Sequence, residues 1–113
     1  SGDVEWYGPA RLEDAPAPAA LTLEPAAPNP FRTSTNIAYR LAGAGPVRLY
    51  VYDAQGRIVA RLVDRVEEAG PHAVVWDGRA DDGSPARSGI YFMRLEASGQ
   101  SATRKSVLKQ ETR

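Results

Sequence analysis

The chain of 113 residues has no cysteine, a single histidine (His72), no charge excess (14 basic against 14 acidic side chains) and no long apolar run. Without cysteine there is no disulfide framework, no thiol nucleophile and no cysteine-held zinc or iron–sulfur site, although the compartment stays open, because oxidising compartments permit disulfides without requiring them. The balanced charge removes the basic field on which non-specific nucleic-acid binding depends. A bilayer-spanning helix takes about 20 consecutive apolar residues, so direct membrane insertion is not expected either. The length suits one domain, whose core would take in roughly two thirds of the unfolded chain's surface. The opening Ser1-Gly2-Asp3 has neither the basic start nor the apolar stretch of a signal peptide, so the expectation is a piece of a longer parent or a cloning scar.

Prolines are present and unevenly placed. Seven of nine lie in the first 46 residues, and Asp14-Ala15-Pro16-Ala17-Pro18-Ala19-Ala20 reads as a stiff, extended linker, since alternating Ala and Pro favours polyproline II. Residues 1–19, with the aromatic patch Val4-Glu5-Trp6-Tyr7-Gly8, are assigned to a linker and the tail of a preceding domain, and residues 20–113 to the domain proper. From there the apolar period is two, interrupted at short intervals by turn residues, which predicts an all-β immunoglobulin-like sandwich of about seven antiparallel strands.

Leu21 and Leu23 open the first strand, and Ile37, Tyr39 and Leu41 share one face of the second. Gly43 to Pro46 is read as a turn. Val47, Leu49 and Val51 then oppose Arg48, Tyr50 and Tyr52, and Asp53-Ala54-Gln55-Gly56 should be a tight hairpin with Gly56 at positive φ. Arg57 to Val66 returns, and Gly70-Pro71 turns the chain into a strand with His72, Val74 and Trp76 on one face. Trp76 is the expected largest core anchor. Ser88 to Glu96 and Thr103 to Lys109 complete the set, divided at Ser98-Gly99.

Catalytic constellations are thin. His72 with Ser84 or Ser88 and an aspartate assembles a triad on paper, but neither serine sits in a Gly-x-Ser-x-Gly elbow, and a half-buried His72 beside Val74 and Trp76 is the preferred reading. No enzyme activity and no cofactor are expected. In the loop Asp77 to Gly83, Asp77, Asp81 and Asp82 offer hard oxygen ligands for calcium. Their spacing is not that of an EF-hand, Arg79 competes for the carboxylates, and Asp-Gly pairs suit a solvated turn. Tyr39, Tyr50, Tyr52, Tyr91 and Phe92 would suit a sugar-stacking platform only if they shared a face, and their spacing distributes them over both.

Charge is asymmetric along the chain. Residues 1–34 hold five acids and two bases, whereas residues 100–113 hold Arg104, Lys105, Lys109 and Arg113 against Glu111 alone. A basic, polar last strand is either a solvated edge whose cations discourage aggregation or a surface open to a receptor.

The motifs Pro28-Asn29-Pro30-Phe31 followed by Thr35-x-Ile37-x-Tyr39-x-Leu41, Val47-x-Leu49-x-Val51-Tyr52-Asp53-x-x-Gly56-x-x-Val59, Gly70-x-His72-x-Val74-x-Trp76-Asp77-Gly78, Ser88-Gly89-Ile90-Tyr91-Phe92 and Thr103-Arg104-Lys105-x-Val107-Leu108 occur in that order. Together they cover roughly four fifths of the chain. In this the chain resembles the C-terminal sorting domains on cargo of the type IX secretion system of Bacteroidetes-like bacteria, and the related immunoglobulin-like domain of the flagellar hook-capping protein.

The resemblance implies a non-catalytic domain at the end of a larger secreted protein, a monomer recognised by outer-membrane secretion machinery after passage through the periplasm of a Gram-negative bacterium, and destined for release or the cell surface. It maps the sorting signal to Gly89, Tyr91, Thr103, Arg104, Lys105, Val107, Leu108 and Lys109. Pro28, Asn29, Pro30 and Phe31 would mark the domain start, and Trp76, Asp77 and Gly78 the structural core motif. Gln110 to Arg113 extends past the lysine at which many relatives stop. An exposed last strand with unpaired backbone groups would allow strand addition by the receptor, with Lys105 and Lys109 in contact and Val107 and Leu108 packing or inserting. The alternative is an immunoglobulin-like spacer or carbohydrate-binding accessory module.

Overall fold

Period-two alternation of apolar and polar side chains becomes, along most of the chain, an alternation of buried and exposed ones. The computed structural model describes residues 21–109; the linker and preceding tail assigned to residues 1–19, and the extension 110–113, lie outside the described residues. Seven strands follow in order: β1 (Thr22–Leu23), β2 (Thr35–Leu41), β3 (Gly45–Tyr52), β4 (Ile58–Glu67), β5 (Gly70–Trp76), β6 (Gly89–Ala97) and β7 (Gln100–Leu108). All pairings between them are antiparallel, in a three-stranded sheet ordered β1-β2-β5 and a four-stranded sheet ordered β4-β3-β6-β7. No helix occurs among the described residues, and the chain folds as the immunoglobulin-like sandwich its pattern predicts.

The core lies between the sheets. Ile37, Tyr39 and Leu41 of β2 and Trp76 of β5 face Val47, Leu49 and Val51 of β3 and Tyr91, Met93 and Leu95 of β6, all of them buried. Burial of each large apolar side chain stabilises the fold by about 1.5–3 kcal/mol, so this interior supplies the main driving force. Trp76 is the largest fully buried side chain among the described residues, as expected.

Several boundaries differ from the sequence reading. Leu21 precedes β1, which is only two residues long. Gly45 and Pro46, read as a turn, belong to β3, and Gly70 and Pro71 belong to β5. Proline is tolerated at position 71 for a geometric reason. Asn36 and Ala38 direct their backbone groups toward Ala27 and Glu24, so the alternate residues of β2 bond β5 through Gly70, His72, Val74 and Trp76. Position 71 therefore points its missing N–H at the free edge. The last strand begins at Gln100, three residues before Thr103, because Ser98 (φ 53°) and Gly99 (φ 74°) make the β6–β7 turn compact enough for Ala97 and Gln100 to pair.

The hairpin between β3 and β4 forms where predicted. Asp53 accepts hydrogen bonds from the backbone N–H groups of Gln55 and Arg57, and Gly56 adopts φ 86°. Irregular register between Leu49 and Tyr50, and again between Val51 and Tyr52, places Leu62 and Val59 of β4 in bulges, from which both side chains still pack on the core.

Candidate functional site

The last strand carries most of the residues assigned to recognition, and parity along it separates them. Ala102, Arg104, Ser106 and Leu108 face the interior side, with Ser106 and Leu108 fully buried. Thr103, Lys105 and Val107 face outward on the sheet, followed by exposed Lys109. Three of the residues assigned to recognition, Leu108, Arg104 and Tyr91, are instead engaged within the domain. Leu108 belongs to the core and is not available to insert into a partner. Arg104 spans the gap between the sheets, its Nε donating to the Leu23 carbonyl at 2.7 Å. Tyr91 is buried, with its hydroxyl donating to the Arg87 carbonyl at 2.7 Å, and burial together with the nearby Asp53 charge holds its phenol above the usual range. Gly89 lies at the start of β6, opposite Leu108.

Over its second half, the edge of β7 is also not the open ladder that strand addition requires. The Val107 N–H donates to Asn29 Oδ1 at 2.9 Å, Asn29 Nδ2 donates to the Lys105 carbonyl at 3.3 Å, the Phe31 N–H donates to the Val107 carbonyl at 2.9 Å, and the Lys109 N–H donates to the Phe31 carbonyl at 2.8 Å. The Pro28 to Phe31 segment, with cis peptides before both prolines, thus serves as a short parallel strip along the second half of β7. Thr35 Oγ1 anchors it to β2 by donating to the Pro28 carbonyl. A motif read as marking the domain start closes the domain's last strand.

The motif residues converge at this end of the sandwich. Phe31 meets Trp76 edge-on with ring centres 5.5 Å apart, and Trp76 meets Tyr91 at 5.2 Å. The indole N–H of Trp76 donates to the Arg79 carbonyl, leaving no buried donor unpaired on this ring. Gly78 (φ 75°) turns the chain beside the Thr33 carbonyl and the side chains of Leu108 and Phe31. Leu108, and with it the end of β7, is therefore held beside Phe31, 77 positions earlier in the chain, and the Gly78 turn.

Neither chemistry considered from the sequence is assembled. Asp77 accepts from the Arg79 N–H, Asp81 from the Arg61 backbone and guanidinium, and Asp82 from the Ser84 N–H and hydroxyl. Each carboxylate of the calcium candidate is turned to a different local partner, and no group of three potential ligands converges among the described residues. His72 sits toward the other end of β5, its ring stacked on Tyr39 at 5.4 Å and its Nε2 2.7 Å from the Glu68 carbonyl. The Tyr39 hydroxyl donates to Glu67, and burial, reinforced by that carboxylate, raises its phenol well above the ordinary value. This is a packed polar joint between β2, β4 and β5, and the strand places it about 13 Å along β5 from the Trp76 end, where the Ser84 and Ser88 loop begins.

The sequence reading missed what lies beside Lys105 and Val107. Across the outer face of the four-stranded sheet, register aligns Ile58, Tyr52, Phe92 and Lys105 in one row, with Ile90 paired to Val107 in the next. Toward the opposite end the same face is polar: Arg94 pairs Glu96 at 2.8 Å, Tyr50 donates to Asp64, and Arg61 bonds Asp81 while its guanidinium lies 5.7 Å from the Tyr50 ring centre. The signal available in sequence was the side-chain parity of β3 and β6, which puts Tyr52, Ile90 and Phe92 outward; the register that joins them was not.

Solved structures with this architecture include dimeric latent PorU from Porphyromonas gingivalis (TM-score 0.66, 24% identity, covering 89% of this chain and 10% of PorU). PorZ from the same organism, described as an essential surface component of the type-IX secretion system, aligns at TM-score 0.54 and 21% identity over 79% of this chain and 11% of PorZ. FlgD from Xanthomonas campestris, described in terms of hook capping in flagellar assembly, aligns at 0.53 and 22% over 77% of this chain and 66% of FlgD. At these identities the likeness is one of fold, and the chain spans about a tenth of the length of PorU or PorZ. No curated protein matches the chain. The model of the FlgD Ig-like domain matches residues 31–101, from the buried Phe31 through the start of β7. Because that match spans more than half of the chain and coincides with the observed sandwich, the protein belongs to the FlgD Ig-like domain family.

Proposed function

We propose that this sandwich is a non-catalytic C-terminal sorting domain, which directs a larger parent protein through the periplasm to outer-membrane type IX secretion machinery and on to the exterior or cell surface of a Gram-negative bacterium. The observation that carries the reading is the division of labour along β7. Its inner residues are locked into the core, while Thr103, Lys105, Val107 and Lys109 are presented along its outer side. Because Asn29 and Phe31 occupy the backbone groups of Lys105 and Val107, recognition is of side chains, and the two lysines steer the domain toward an acidic receptor surface. The fold likeness to PorU and PorZ supports the secretion context.

A second reading, an immunoglobulin-like spacer, is favoured by one fact: the family match ends at Ser101 and leaves most of β7 outside it. The two readings separate in a secretion assay with the whole chain fused behind a Sec-targeted reporter in a host that has a type IX system. Lys105→Glu with Lys109→Glu should block export and leave the melting temperature within a few degrees of the parent. Normal export of that variant would refute the role of β7. Truncation at Ser101 is a poor test, because it removes Leu108 and Ser106 from the core.

A further inference from the structure

The outward face of a sheet packed on one side is normally polar, yet here half of one such face is apolar and contiguous. Ile58 and Ile90 are 42% and 45% exposed, Tyr52 and Phe92 are half-buried between them, half-buried Val107 lies beyond Ile90, and Lys105 closes the row. Only the strand register assembles these side chains, which come from four different strands. Apolar patches rimmed by charge mark protein-binding surfaces, with an apolar centre to be desolvated and a polar edge to orient the partner.

The rim is cationic. Arg87 lines, with Gly89 and Ile90, an open groove at the margin of the patch, and Lys109 follows Leu108, the residue opposite Gly89. Neither these two nor Lys105 has an ion pair among the described residues, whereas the neighbouring Arg57 is neutralised by Asp53 at 3.1 Å. Three of the five apolar members are branched aliphatics, which lack the flat face on which a sugar ring stacks. From this charge and shape we infer that the half-face formed by Ile58, Tyr52, Phe92, Ile90 and Val107, with Lys105, is the surface on which the domain docks to its secretion partner, a protein surface of apolar side chains ringed by carboxylates. The inference rests on the sorting reading and extends its contact surface from β7 across the sheet to β4.

The test uses the same full-chain fusion. Ile58→Ser with Ile90→Ser removes the two most exposed apolar members without touching the core, and Val75→Ser, at a 53% exposed position on the other sheet, is the control. The double variant should lower export at least tenfold with an unchanged melting temperature, and the control should export like the parent. If the double variant melts early, each single substitution replaces it, with a loss of about threefold expected from each. Arg87→Glu should lower export severalfold; a silent Arg87→Glu would overturn the acidic-rim partner chemistry. Parental export of the Ile58/Ile90 variants, alongside a block by Lys105→Glu/Lys109→Glu, would overturn the patch and leave the sorting reading intact. Failure of the parental fusion to export would overturn both.

Discussion

Removing the Asn29 side chain tests whether one carboxamide closes the edge of β7. In the native arrangement its oxygen accepts from the Val107 N–H at 2.9 Å and its nitrogen donates to the Lys105 carbonyl at 3.3 Å. A neutral hydrogen bond contributes about 0.5–1.5 kcal/mol net, and the longer of these two belongs at the low end. Both lie where water can replace the lost partner, so Asn29→Ala avoids the full penalty of an orphaned buried group, and its expected cost is about 1–2 kcal/mol. For a domain of this size that lowers the melting temperature by about 5–10 °C. Asn29→Asp keeps the acceptor for Val107 but sets a carboxylate against the Lys105 carbonyl, and should also destabilise. Thermal unfolding supplies the magnitude, and amide hydrogen exchange supplies the location: the Val107 N–H should lose protection in Asn29→Ala while the amides that bond β6 keep theirs. A melting point within a degree of the parent, together with unchanged protection at Val107, would refute the role of Asn29 as the cap.

Three further substitutions probe the packing behind the site. The Ser106 hydroxyl is buried with no hydrogen-bond partner among the described residues, so Ser106→Ala should stabilise the fold by about 1 kcal/mol in denaturant titration, and a loss of that size would show the hydroxyl to be bonded. Gly78→Ala places a Cβ at ordinary contact distance (3.6 Å from the Thr33 carbonyl) but forces φ 75° on a side-chain-bearing residue, so a loss of about 1–2 kcal/mol is expected from backbone conformation; a neutral result would mean that the turn relaxes freely. Tyr39 has a folded-state pKa raised by burial and by Glu67, so its contribution is fully present below the unfolded value near 10 and is lost as pH rises above it. The stability of the parent should therefore fall more steeply between about pH 10 and about pH 12 than that of Tyr39→Phe, and parallel curves would refute the linkage.

Legibility in the sequence followed the strength of the apolar alternation. β2, β3 and β6 bury every second residue, and the sequence assigns the inner faces of the first two through Ile37-x-Tyr39-x-Leu41 and Val47-x-Leu49-x-Val51. β7 was harder because Gln100 to Lys105 has no alternation of hydrophobicity, and Val107 and Leu108 are adjacent and equally apolar. Arg104 was consequently grouped with Lys105, although one residue of offset sends it to the opposite side of the sheet. The Pro-Asn-Pro-Phe motif was recognisable as a feature, but its hydrogen-bond partners lie 76 and 78 residues away, beyond any local pattern.

The sequence by itself determined the fold class, the strand count, Trp76 as the central anchor and the uneven charge of the two ends, because period, turn residues and composition are local properties that survive without knowledge of partners. Tertiary structure alone decided which edge of β7 is closed and by what, that Arg104 ties the sheets together, and that Ile58, Tyr52, Phe92, Ile90 and Val107 share one surface. Those outcomes depend on strand order and register, and register is fixed by packing the two inner faces against each other, an energy to which every strand contributes and which no single segment encodes.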